Sequence, residues 1–153
     1  MNITDKLKWT LVAMSDSRAA KIFKVTASNE RKIMERMRRY LLERRIVNSR
    51  TPGTDSSGSL VVAVRIGKGQ LRTVAPVIEA LMEQTRLAHR LILFIPDSVD
   101  AGLIPASLRL LERRGLELLS YPADGEAVIP PGAIEVSPDS LPEPEYLDML
   151  ARQ

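Results

Sequence analysis

The sequence predicts an α/β fold: a largely parallel or mixed sheet with flanking helices, preceded by a basic helical segment at the amino terminus. Two observations carry this. Apolar runs of strand length at Leu60 to Ile66, Leu91 to Ile95 and Leu116 to Tyr121 alternate with stretches of helical period, and that β-α-β-α-β alternation favours parallel strands joined by helical crossovers. The charge is also sorted along the chain. Residues 1–50 hold 13 Lys+Arg against 5 Asp+Glu, residues 51–121 hold 8 against 7, and residues 122–153 hold 1 against 7.

From the amino terminus, Asp5 to Met14 fits a helical stripe through Leu7, Leu11 and Met14, with Thr4 as N-cap. Strand alternation through Leu7, Trp9, Leu11 and Ala13 fits as well. Ser15, Asp16 and Ser17 offer caps for a short helix containing Ala19, Ala20, Ile22 and Phe23, and Thr26 to Asn29 predicts a break. A second helix is expected over about 29 to 45, with Ile33, Met34, Met37, Tyr40 and Leu41 on one side and Arg31, Lys32, Arg36, Arg38 and Arg39 spread over the rest. Ile46 to Arg50 is a short β-prone run, and Thr51 to Gly58 is a polar turn. Together with the strand Leu60 to Ile66 they suggest a β-ribbon.

Beyond Gly67-Lys68-Gly69 the spacing predicts a helix over about 72 to 87, with Pro76 in its first turn. Leu91 to Ile95 is continuous enough for a strand covered on both faces. A helix from Pro105 to Arg114 should stop at Gly115, and Leu116 to Tyr121 follows as a strand. The proline-rich acidic end, 122–153, reads as an irregular wrap with one short strand near Ala133 to Val136 and a helical turn near Tyr146 to Ala151. Domain boundaries are expected near 66 and 121, or the whole forms one continuous domain.

Composition narrows the function. The 44% hydrophobic and 27% charged content is that of a globular chain. With no cysteine and one histidine, disulfides and thiolate or histidine-rich metal sites are excluded. No apolar run reaches the roughly 20 residues that span a bilayer, and the opening Met1 to Lys6 lacks a secretory layout. A cytoplasmic chain is expected, with no cofactor, no metal and no recognisable catalytic signature. The basic front half points to a polyanion, because clustered Lys and Arg attract phosphates and release counterions. Duplex DNA is the expected partner. Of the six aromatics, Trp9, Phe23 and Tyr40 lie in the basic half. Phe23 and Tyr40 fall on helical apolar stripes and Trp9 on an alternating apolar run, so stacking on single strands is disfavoured.

Two resemblances sharpen this. Ala19-Ala20-Lys21-Ile22-Phe23-Lys24-Val25, the turn Thr26 to Ser28, the helix from Asn29 and the run Ile46 to Ile66 resemble a winged helix-turn-helix domain over residues 15–66. The resemblance implies that Asn29, Arg31, Lys32 and Arg36 face DNA from a recognition helix and that Arg50 sits on the wing. Lys21, Lys24 and Arg39 complete the candidate nucleic-acid-binding set. Residues 30–121 also resemble the PD-(D/E)XK nuclease-like core. That family carries an acid, a spacer and a lysine on its central strand, with carboxylates that hold Mg²⁺. Here the matching place reads Val64-Arg65-Ile66-Gly67-Lys68, with no carboxylate on the strand, which implies a binding-only descendant. A fainter likeness of Trp9 to Val25 to the host-attachment and release-factor-like family would make residues 7–25 β.

The sharper readings stand beside plainer ones. Gly67-Lys68-Gly69 is either a phosphate cradle or a strand-to-helix turn. Asp97 and Asp100 are active-site acids or helix caps, and His89 is a surface residue. Three functions follow: a non-catalytic DNA-binding regulator or accessory subunit, a protein-interaction module of a larger complex acting through the α/β half, or a metal-dependent nuclease. A palindrome reader would be a homodimer; an accessory subunit need not be.

Overall fold

A computed structural model describes the backbone of residues 17–152 and the side chains of residues 29–152. The expectations for residues 4–14, and those for the strand-turn-strand likeness before residue 17, lie outside the described residues. The chain divides into two compact units, Met1–Leu41 and Leu42–Gln153.

The first element, α1 (Ser17–Asn48), is one continuous helix. It corrects three expectations. Residues 17–25, which the host-attachment and release-factor-like likeness would make β, are helical. The break at Thr26 to Asn29 is absent: Thr, Ser and Asn cost a helix interior only a few tenths of a kcal/mol each, roughly, and the segment contains neither Gly nor Pro. Ile46 to Asn48 also stay helical. Leu42 and Ile46 are 3% and 2% exposed, so their burial in the second unit overrides the weak β preference of the run. Ser49 N donates to the Arg45 carbonyl at 2.7 Å. Pro52 then disfavours helical backbone at Thr51.

The second unit is built on a four-stranded, all-parallel sheet: β1 (Val61–Arg65), β2 (Arg90–Pro96), β3 (Leu116–Tyr121) and β4 (Ile134–Val136), in the order β3-β2-β1-β4. Val62 pairs with Leu91 and with Ile134, and Leu91 pairs with Leu116. The hairpin expected over 46–66 does not form. Its second arm is β1, an interior strand of the sheet, and residues 49–60 are an irregular connection. An expected domain boundary near 66 falls at the end of this central strand, and one near 121 falls between β3 and β4 of the same sheet.

Alternation along the strands divides the apolar residues between two faces. Val62, Val64, Leu91, Leu93 and Leu116 pack against α2 (Ala75–Met82) and α3 (Ala106–Glu112) through Val77, Ile78, Leu81, Leu108 and Leu111. Ala63, Ile92 and Phe94 face the other way and are covered by Tyr121, Ala127 and Ile129. The β3-to-β4 connection therefore acts as a strap over that face, in place of a crossover helix.

α2 is shorter than expected, since the backbone leaves the helix at Glu83. Gln84, 5% exposed, then holds the carboxyl-terminal segment. Its Nε2 donates to the carbonyls of Ala80 at 3.1 Å and Glu143 at 2.7 Å, and its Oε1 accepts from Leu147 N at 2.9 Å. Leu147, in α4 (Tyr146–Ala151), is fully buried. The acidic end thus belongs to the second unit's fold from β4 onward.

Candidate nucleic-acid interface

The candidate interface within the first unit is the described part of α1, residues 29–41. At about 100° per residue, Arg31, Lys32, Arg36 and Arg39 fall within an arc of about 140°. Arg31, Lys32 and Arg36 are exposed. Among the described residues none of these three side chains takes part in a hydrogen bond or ion pair. Arg39 is half-buried and meets Glu35, one turn earlier, at 3.5 Å. Asn29 and Arg38 are half-buried and partnered as well. Lys21 and Lys24 lie on the helical backbone, but their side chains are outside the described residues.

The opposite side of the same stretch carries Ile33, Met34, Met37, Tyr40 and Leu41. Met37, Tyr40 and Leu41 are 41%, 56% and 44% exposed. The apolar stripe read from the sequence is therefore real as a stripe but largely open. The turns that do enter a core use Leu42 and Ile46, which lie on a different side of the helix cylinder.

In the second unit, Arg50 is not on a wing. It follows the end of α1 and lines an open pocket of about 350 Å³ together with Arg113 and Arg114. Sequence reasoning missed Arg113 and Arg114 as site residues, because they stand 63 and 64 positions beyond Arg50 and only packing brings them near. The single available signal was their place at the end of the helix expected over Pro105 to Arg114; they follow α3, whose last residue is Glu112. Arg45 is held by Glu83 at 2.6 Å.

Of the remaining candidates, Gly67, Asp97 and His89 make local hydrogen bonds or close polar contacts. The Gly67 N–H, which a phosphate cradle would need, donates to Gln70 Oε1 at 2.8 Å. Gln70 Nε2 in turn donates to Asp139 Oδ1 at 2.7 Å. This bridge ties the loop after β1 to the loop after β4, across the carboxyl edge where the strand order reverses, the usual ligand crevice of such sheets. Lys68 stays exposed.

Asp97 Oδ1 accepts from Ala123 N at 3.1 Å and so fixes the start of the strap. Asp100 precedes a short 3₁₀ turn, Ala101–Leu103, without capping it through its side chain. His89 Nδ1 lies 3.2 Å from the Asp55 carbonyl oxygen. Asp55 itself caps the turn at Ser57, accepting from Ser57 Oγ at 2.7 Å and Ser57 N at 3.0 Å. Those two hydrogen bonds hold its carboxyl below the usual aspartate range.

On β1, Arg65 lies 3.5 Å from Glu135 of the neighbouring β4. A guanidinium thus occupies the place where the nuclease-like resemblance would put a metal ligand. Among the described residues no three His, Asp or Glu side chains are grouped as a metal ion would require. No helix among them is long and apolar enough to cross a membrane. Compared with protein-family models, with curated proteins and with solved structures, the chain matches none.

Proposed function

We propose that this chain is a non-catalytic DNA-binding protein, a regulator or accessory subunit, that docks on duplex DNA through the basic side of α1. The observation that carries the reading is the set Arg31, Lys32 and Arg36: exposed, on one side of a helix, and unpaired by any carboxylate among the described residues. Phosphate contact needs cations in that condition, because a side chain already in an ion pair must give up one partner for another. Arg39 and Arg45, each beside a glutamate, are poorer contributors.

Fluorescence anisotropy with a labelled duplex, titrated at stepped salt concentrations, tests the reading. The expected outcome is affinity that falls linearly on a log–log plot against salt, with a slope of about −0.9 per phosphate neutralised. Absence of binding at low salt, or affinity indifferent to salt, rejects it.

A second reading, a protein-interaction module, is favoured by the open side of α1. Met37, Tyr40 and Leu41 expose more apolar surface than a solvent-facing helix needs. Duplex binding unaffected by substitutions at Met37, Tyr40 and Leu41 separates the two functions on the two sides of the helix.

A further inference from the structure

The geometry points to a second ligand site: the pocket between the carboxyl ends of α1 and α3 takes a phosphomonoester carried on a compact body with a flat ring, such as a nucleoside monophosphate or the terminal nucleotide of a nucleic acid. The inference does not rest on duplex docking, since its residues all lie in the second unit, outside the 29–41 stretch.

At about 350 Å³ the pocket sits at the small end of the range for organic ligands, roughly 300–1,000 Å³. Its lining divides by chemistry. Ile46, Val47 and Leu110 supply apolar wall, and Val47 is 69% exposed, an aliphatic surface open to a flat ring. Arg50 and Arg113 are both exposed, and neither side chain forms a hydrogen bond or ion pair among the described residues. Arg114 is fixed by Glu79 and by the Thr51 carbonyl, to which its Nε donates at 2.8 Å. Ser49 adds a hydroxyl, 3.0 Å from that of Thr51. No carboxylate lines the pocket.

The charge balance favours an anion. Two helix carboxyl ends approach here, each equivalent to roughly half a negative charge. Two unpaired guanidiniums bring full positive charges against them, while Arg114 is already balanced by Glu79. Arg50 and Arg113 come from separate segments, so they reach a ligand from two directions. A tetrahedral phosphate with three terminal oxygens satisfies both forks, whereas a carboxylate has one edge for one fork. The apolar wall then distinguishes an organic phosphate from the inorganic ion.

Isothermal titration of the full chain with adenosine 5′-monophosphate, adenosine and inorganic phosphate tests the site. A labelled oligonucleotide with and without a 5′-phosphate forms the second arm. Expected is binding of the monophosphate, at least tenfold weaker binding of adenosine, and at least tenfold loss in Arg50→Gln/Arg113→Gln. The variant Arg44→Gln/Arg86→Gln removes the same charge from exposed residues outside the pocket and should leave affinity unchanged. Arg31→Ala/Lys32→Ala/Arg36→Ala should also bind the monophosphate normally.

If only the oligonucleotide arm shows a phosphate preference that Arg50→Gln/Arg113→Gln abolishes, the source is a nucleic-acid end and the site stands. The proposal is overturned if neither arm discriminates phosphate from hydroxyl, or if the Arg50/Arg113 variant keeps wild-type affinity. Equal losses in the two charge-matched variants overturn it too. Circular dichroism on each variant confirms that folding is intact.

Discussion

Glu79 and Arg114 form an ion pair inside the second unit. Glu79 is 0% and Arg114 6% exposed, and Arg114 Nη1 donates to Glu79 Oε2. The same arginine donates Nε to the Thr51 carbonyl at 2.8 Å, and its own carbonyl accepts from Gly53 N at 2.8 Å. One side chain thus joins α2, the end of α3 and the connection that leaves α1. Glu79 Oε1 has no hydrogen-bond partner, so the node is only partly satisfied.

Removing one member should be far costlier than removing both. Arg114→Met leaves a buried carboxyl without its counter-charge and the Thr51 carbonyl without a donor, and a loss of about 3–5 kcal/mol is expected. Glu79→Leu/Arg114→Met, which leaves no buried charge, should recover a large part of it. Urea unfolding of the three proteins checks the order. A single variant within about 1 kcal/mol of wild type would show that the pair is not held as described.

The same carboxyl should make stability depend on pH. Burial raises the Glu79 pKa above the usual glutamate range, the Arg114 guanidinium opposes the rise, and the nearby Glu83 carboxylate adds to it. A carboxyl that binds its proton more tightly when folded contributes stability that is complete below the unfolded value. That contribution is lost as pH climbs through the folded value. The stability difference between wild type and Glu79→Gln should therefore shift against wild type as pH rises from the ordinary glutamate range upward. Denaturant midpoints of both proteins across that window measure it, and a difference that is flat or of opposite slope contradicts the assignment.

Gly115, in the turn between α3 and β3, has φ +116°, and a Cβ there would overlap the Thr54 side chain. Gly115→Ala should cost about 1–3 kcal/mol from backbone strain together with the clash. Thr54→Ala in the same chain should relieve only the clash. Thermal unfolding should place the double variant between wild type and the single one.

The strands were legible because parallel strands covered on both faces read as unbroken apolar runs, as at Leu91 to Ile95. Gly115 marked the break between α3 and β3, because only glycine takes its φ easily, although α3 itself ends at Glu112 and residues 113–115 form a turn. The misreadings share a cause: local preference was weighed where packing decides. Thr26 to Asn29 have the composition of a cap and sit inside α1. Ile46 looks like a strand residue and is a helical core residue. The open pairing state of Arg31, Lys32 and Arg36 could be hoped for from the charge surplus, but the commitment of Arg39 to Glu35 and of Arg45 to Glu83 could not. Nor could the pocket at Arg50, Arg113 and Arg114, which depends on two segments far apart in the chain meeting beside the ends of α1 and α3. Glu79 and Gln84 occupy apolar-periodic surroundings, and nothing in the local pattern marks them as buried polar nodes.

The α1 reading makes its own quantitative demand. Arg31→Ala/Lys32→Ala/Arg36→Ala removes three exposed side chains that pack against nothing essential, so its melting temperature should match wild type closely. If each cation neutralises one phosphate, the salt slope for duplex binding should become shallower by about 0.9 per substitution, close to 3 in all. Affinity at low salt should fall by more than tenfold. Arg39→Ala alone should change the slope less than Arg36→Ala, because Glu35 already holds Arg39 at 3.5 Å. A triple variant with unchanged slope and affinity, still folded by circular dichroism, would remove α1 from the interface whatever else the protein binds. A slope that falls while sequence preference is retained would instead mark these residues as backbone contacts, with base readout elsewhere.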